Sequence, residues 1–115
     1  EITSKNFEQS LTHEGQDYHY VVAEIDNQLV GFIFVEASPV YTGRGSIIDL
    51  FIVQEQRNQG IGKQLMEQGL SWLKAKGVEK VGVDAHKSNS AAIHLYKEFG
   101  FQEEEETYIS LEKTL

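Results

Sequence analysis

The seven residues Arg57-Asn58-Gln59-Gly60-Ile61-Gly62-Lys63 combine two cations, a flexible backbone and the opening of a helix-like run. Two glycines at this spacing let the chain turn tightly and let a ligand come close to the backbone. The first amides of a helix have no internal acceptors and sit at the positive end of its dipole, so such a stretch suits a phosphate or pyrophosphate. Two other phosphate motifs do not fit. A dinucleotide fingerprint needs Gly or Ala at position 65, which is Leu65. A P-loop needs a glycine where Arg57 stands and Ser or Thr where Gln64 stands. Without that hydroxyl there is no magnesium ligand, and the expectation is an anion cradle that uses no metal.

The elements that must position this cradle follow from hydrophobic spacing. Ile47 to Val53 is largely apolar and reads as a central strand feeding the cradle. Gly60 to Lys76 reads as a helix with a buried stripe of Ile61, Leu65, Leu70 and Leu73, flanked by Met66 and Trp72 and closed by Gly77. Upstream, Tyr18 to Ile25 and Leu29 to Ala37 form a hairpin about Asp26-Asn27. Phe7 and Leu11, four apart, suggest that Ser4 to Leu11 ends a helix. Downstream come a strand, Val78 to Asp84, and a helix capped by Ser88 or Asn89, with Ala92, Leu95, Tyr96 and Phe99 on its apolar face and Gly100 at its end. Thr107 to Lys113 reads as a last strand, and Ser38 to Ser46 as a loop. The order β-β-β-α-β-α-β implies an α/β mixed sheet, with a parallel unit from Ile47 to Asp84. Ligands in such sheets bind beyond the carboxyl ends of the strands.

At 115 residues the chain is read as one domain, residues 1–115, large enough for one core. Its net charge of −8 argues against a nucleic-acid partner; an acidic field would attract a cationic one, although solubility alone is the more common reason for an acidic chain. No apolar run approaches the ~20 residues of a membrane span, and no signal-peptide pattern is present. With no cysteine, disulfides, thiolate metal sites and a Cys nucleophile are excluded, in keeping with a cytoplasmic protein.

The cradle resembles motif A of the GCN5-related N-acetyltransferases, R/Q-x-x-G-x-G/A. The block Ser88-Asn89-Ser90-Ala91-Ala92-Ile93-His94-Leu95-Tyr96-Lys97-Glu98-Phe99-Gly100-Phe101 is similar to that family's S-N-x-x-A-I-x-L-Y-x-x-x-G-F signature. The resemblance runs roughly from Tyr18 to Leu115. It implies the family's fold without its first strand and helix, since Glu1 falls where the family enters its second helix, and hence an acceptor pocket that is partly absent. It implies an acyltransferase that moves an acetyl group from acetyl-CoA to a primary amine by direct attack.

Residue by residue, the resemblance assigns Phe51, Ile52 and Val53 to backbone pairing with the pantetheine arm, with an amide near Val53 polarising the thioester. A bulge often splays this strand in the family. Asn58, Gln59, Gly60, Ile61, Gly62 and Lys63 would hold the pyrophosphate, with Arg57 adding charge or bracing the loop. Asn89 would bond the cofactor arm, although a helix cap explains it equally well. Tyr96 matches a tyrosine that protonates the departing thiolate; its alternative is a core aromatic. Asp84 and Asp49 are the candidate bases, favoured if burial raises their pKa, with His86 behind them and His94 facing solvent.

Glu103 to Glu106 reads as a solvated strand end with two carboxylates on each face. The short Gly100 to Leu115 tail leaves no room for the loop that relatives acting on ribosomal-protein N-termini use. Small amines and exposed lysines therefore stand beside them as acceptors. The alternatives from another class are a non-catalytic acyl-CoA sensor and a homodimer formed through the hairpin Tyr18 to Ala37.

Overall fold

The computed structural model describes residues 5–13, 16–38, 43–104 and 109–115, with residues 5–13 at the level of the backbone. The chain falls into two compact units, Glu1–Ala85 and His86–Leu115.

The first unit is a five-stranded sheet in sequential order: β1 (Lys5–His13), β2 (Gln16–Ile25), β3 (Gln28–Ser38), β4 (Arg44–Ile52) and β5 (Lys80–Val83). The first four strands pair antiparallel; β4 and β5 pair parallel, as a strand-helix-strand unit requires. The turn between β2 and β3 holds Asp26 at φ 51° and Asn27 at φ 65°, a two-residue loop whose twist matches that of the flanking strands.

Helix α1 (Ile61–Ala75) lies against β2, β3 and β4. Val21, Ala23, Ile33, Val35 and Ile47 from the sheet meet Ile61, Leu65, Met66 and Leu73 from the helix, all of them buried. Met66 belongs to the buried stripe, whereas Leu70 is half-buried. Gly69 explains the shift: a Cβ there would sit 3.0 Å from Ile33 Cδ1, so the helix rests on the sheet through this residue. Gly77, at φ 85°, ends α1 as anticipated, with its N–H on Lys74 O and Val78 N–H on Leu73 O. His19, 4% exposed, stacks on Trp72 with centroids 4.8 Å apart.

The opposite face of the sheet carries a row of rings, Tyr18, Phe34, Tyr20, Phe32 and Phe51, with successive centroids 4.1 to 6.2 Å apart.

Three expectations need correction. Residues 5–13 form a strand, not a helix end. The i, i+4 spacing of Phe7 and Leu11 also satisfies a period of two, and pairing with β2 from Lys5↔Glu24 to His13↔Gln16 decided between them. The last strand is not seen: Ile109 to Lys113 has no strand pairing, and Thr107 and Tyr108 lie outside the described residues. Ile109 and Leu111 are 83% and 87% exposed, so the alternation there is not used to bury a face. Glu103 and Glu104 are not in a strand either, and Glu103 pairs with Lys97 at 3.0 Å; Glu105 and Glu106 lie outside the described residues.

Gly31 yields a stability prediction. A Cβ at this position would lie 2.8 Å from Phe51 O and 3.3 Å from Ile52 Cγ1. The backbone carbonyl cannot retreat without loosening the β3–β4 ladder, so Gly31→Ala should destabilise the fold by about 1–3 kcal/mol. Urea denaturation measures it; an unchanged midpoint would mean that the ladder yields freely.

Candidate functional site

β4 positions the candidate residues. It pairs with β3 along its length, but with β5 only from Arg44↔Lys80 to Ile47↔Val83. Beyond Ile47 its far edge faces no described strand. The β3–β4 register shifts where Phe34↔Asp49 gives way to Val35↔Ile47, which leaves Ile48 as the extra residue of a bulge. Ile48 is 47% exposed and Phe51 45%, so this strand is not buried on both faces as its composition suggests.

The backbone directions at the open edge follow from the ladder. Val53 N–H donates to Val30 O at 2.8 Å, and Phe51 O comes closest to Gly31, so Val53 and Phe51 are committed to β3. Groups alternate along a strand, so Leu50 and Ile52 turn their N–H and C=O toward the open edge. Of the three residues assigned to backbone pairing, Ile52 is the one aimed outward. Leu50 joins it, a residue that no motif or spacing singles out. Gly31 also went unnoticed, although a glycine inside a strand is a signal of close backbone approach.

The chain then enters a 3-10 turn, Gln54–Gln56, closed by Gln56 N–H on Val53 O and Arg57 N–H on Gln54 O. Asn58 (φ 64°) and Gly60 (φ 80°) take left-handed conformations, and Gly60 is the N-cap of α1. The first helical bond runs from Gln64 N–H to Gly60 O, so the amides of Ile61 and Gly62 precede the ladder, with no side-chain cap over them. A Cβ at Gly60 would meet nothing within 4 Å, so the mouth of the turn is open. Gly62 is buried, whereas Asn58, Gln59 and Lys63 are exposed. Arg57 braces the turn, donating from Nε to Ile52 O at 3.2 Å.

Asp49 stands opposite Phe34, and Asp84 follows the end of β5; both are exposed. The burial expected of a candidate base is therefore absent at both positions.

In the second unit, Asn89 caps α2 (Ser90–Glu98), its Oδ1 accepting from Ala92 N–H at 3.2 Å. Tyr96 is 8% exposed, with its ring 5.8 Å from that of Phe101. Gly100 (φ 91°) closes the helix, with its N–H on Lys97 O and Phe101 N–H on Tyr96 O. His86 and His94 are exposed, and His94 lies 2.8 Å from Glu98.

The stretch Asp49–Lys63 thus gathers a strand edge, a cation and a helix start in one continuous segment. Its donors are backbone N–H groups and guanidinium or ammonium nitrogens, which match amide carbonyls and phosphate oxygens. Among the described residues, no group of three or more His, Asp or Glu side chains is placed to hold a metal, and no helix is long and apolar enough to cross a membrane.

Residues 2–101 match the model of the acetyltransferase (GNAT) family. An N-alpha-acetyltransferase of Sulfurisphaera tokodaii is 30% identical over 73% of this chain and 56% of its own length. An aminoglycoside acetyltransferase from an uncultured soil metagenomic sample, solved with sisomicin, is 27% identical; the match covers 85% of this chain and 66% of that one, with a TM-score of 0.68. A Bacillus anthracis structure in complex with acetyl coenzyme A superposes with a TM-score of 0.65 at 24% identity, over 78% of this chain and 49% of its own. The chain spans little more than half the length of the curated N-alpha-acetyltransferase it matches. With motif A folded as a strand edge, an open turn and a glycine-capped helix, and with the family's model matched over most of its length, the chain belongs to the acetyltransferase (GNAT) family.

Proposed function

We propose that this chain is the acetyl-CoA-binding portion of an N-acetyltransferase that moves an acetyl group to a primary amine. The observation that carries the reading is the open edge of β4, which leads within a few residues into the uncapped amides at the start of α1. An edge strand accepts an extended amide-bearing arm as an added strand, and a helix start accepts a pyrophosphate. Acetyl-CoA presents both groups in that order, together with a thioester.

In this reading Leu50 and Ile52 pair with the arm, and Gly60, Ile61 and Gly62 contact the pyrophosphate through their amides, helped by the charges of Arg57 and Lys63. The thioester lies at the end of the arm away from the pyrophosphate, so the Leu50 N–H, the edge donor farther from the helix start, is the one available to polarise its carbonyl. Tyr96 gives a proton to the leaving sulfur, and Asp84 or Asp49 takes one from the amine through water. Holding amine and thioester together supplies much of the rate enhancement, so no enzyme nucleophile is required. The acceptor is a cationic amine. The sisomicin complex and the N-alpha-acetyltransferase relative support an aminosugar or a protein amine.

Calorimetric titration with acetyl-CoA, followed by thiol release across a panel of amines, tests this. Micromolar binding with CoA release for one amine class is the expected result. Binding without release would point to an acyl-CoA sensor, and absence of binding would overturn the proposal.

A further inference from the structure

We infer that the end of the sheet remote from the candidate cofactor site holds a second binding site, one for a small zwitterion with an apolar tail, as a free α-amino acid with an aromatic side chain presents. A hollow of about 430 Å³ opens there, lined by Gln16 of β2, Glu36 and Ser38 of β3, and Arg44, Gly45 and Ser46 of β4. That volume is in the range of small-molecule sites. Arg44 begins β4 and Ile52 ends it, so at about 3.3 Å per residue the hollow lies about 25 Å from the edge that leads into α1. The site goes beyond the acetyl-CoA reading and does not depend on it.

Three groups of the hollow lack partners. Ser38 Oγ is buried and makes no hydrogen bond, alone in this among the side-chain polar atoms of the described residues. Glu36, half-buried, and Arg44, exposed, make no ion pair or side-chain hydrogen bond among the described residues. Across the β3–β4 ladder Glu36 faces Ser46 and Ser38 faces Arg44. Glu36 and Arg44 are thus diagonal neighbours, near enough for side chains of their length to meet. Opposite charges held apart at one hollow, with a bare hydroxyl beside them, match a ligand that carries both charges itself.

The register gives the ligand a direction. Ser38 and Arg44 form the row at the sheet's end and suit a carboxylate, which accepts from the hydroxyl and the guanidinium. Glu36 and Ser46 form the next row and suit an ammonium. Tyr18 stands opposite Glu36 on β2 and stacks on Phe34 with centroids 5.5 Å apart, so the aromatic row begins where the ammonium rests. Tyr18 O–H donates to Gln16 Oε1 at 2.7 Å, which ties a wall of the hollow to those rings. An apolar side chain on the carbon that bears the ammonium lies over them.

Calorimetry on the whole chain with L-phenylalanine as the probe tests the site. A Kd below about 1 mM is expected. N-acetyl-L-phenylalanine lacks the ammonium and L-phenylalaninamide lacks the carboxylate, and each should bind at least about tenfold more weakly. Arg44→Gln should abolish the preference over the amide, and Glu36→Gln the preference over the N-acetyl compound. Ser38→Ala should weaken binding about threefold without lowering Tm, because the hydroxyl it removes satisfies nothing in the free protein. Saturating CoA should leave the Kd unchanged.

No binding of phenylalanine, equal binding of the three compounds, or preferences that survive both charge substitutions would overturn the inference. Loss of phenylalanine binding in the presence of CoA would place the ligand at the other end of β4 and overturn it as well. A chain that binds phenylalanine but no CoA would instead sink the cofactor reading by itself.

Discussion

Replacing Gly60 by Asp is expected to weaken acetyl-CoA binding by about 30- to 100-fold while leaving the protein folded. Gly60 sits at φ 80°, where most side chains are strained, but Asp and Asn are the residues that tolerate this region best. A Cβ would meet no atom within 4 Å, so steric cost is small. The introduced carboxylate lies at the positive end of α1, which favours it in the free protein. It then competes with the pyrophosphate for the same amides and repels it. Two charges about 4–5 Å apart at an effective dielectric near 20 interact by about 3–4 kcal/mol; screening at this exposed site reduces that to about 2–3 kcal/mol. Gly60→Asn is the matched control, with the same backbone demand and no charge, and should lose less than about tenfold. Calorimetry on the two variants gives the comparison, with thermal unfolding to establish that both remain folded. Similar affinities for Asn and Asp would mean that no pyrophosphate sits at this helix start.

The second large effect is expected at Tyr96. Tyr96→Phe should lower kcat for acetyl transfer by about 100-fold, the scale of a lost general acid, with little change in the KM for acetyl-CoA. Phenylalanine preserves the ring that packs 5.8 Å from Phe101. Loss of the hydroxyl from a residue 8% exposed should cost only about 1 kcal/mol of stability. Thiol-release kinetics and urea denaturation on the same preparation separate the two quantities. A variant with unchanged kcat would leave Tyr96 as a core aromatic and move the acid role elsewhere.

Features that one segment settles alone were legible in the sequence. The strand Ile47–Val53, the turn at Asp26-Asn27, helix α1 with its Gly77 stop, and the capped helix from Ser90 to Glu98 lie close to where spacing placed them. Each is fixed by local rules: a dihedral only certain residues adopt, an apolar period of two or 3.6, a side-chain oxygen near a bare amide. The glycine-rich turn before α1 is of this kind, because its conformation belongs to consecutive residues.

Other features depend on what lies across the sheet. Phe7 and Leu11 fit a helix and a strand equally, and only pairing with β2 made residues 5–13 a strand. Asp49 and Asp84 looked like buried bases on apolar strands, yet β5 is four residues long and leaves both exposed.

The glycine-rich turn that joins an apolar strand to a helix start is written in its own residues, because conformational freedom and unpaired amides are properties of the chain at that point. Which backbone groups face the open edge of β4 was decided by tertiary structure alone. The bulge at Ile48, the commitment of Phe51 and Val53 to β3, and the outward turn of Leu50 and Ile52 all follow from where β3 pairs and where β5 stops. Those are contacts between segments far apart in the sequence, and no local period encodes them.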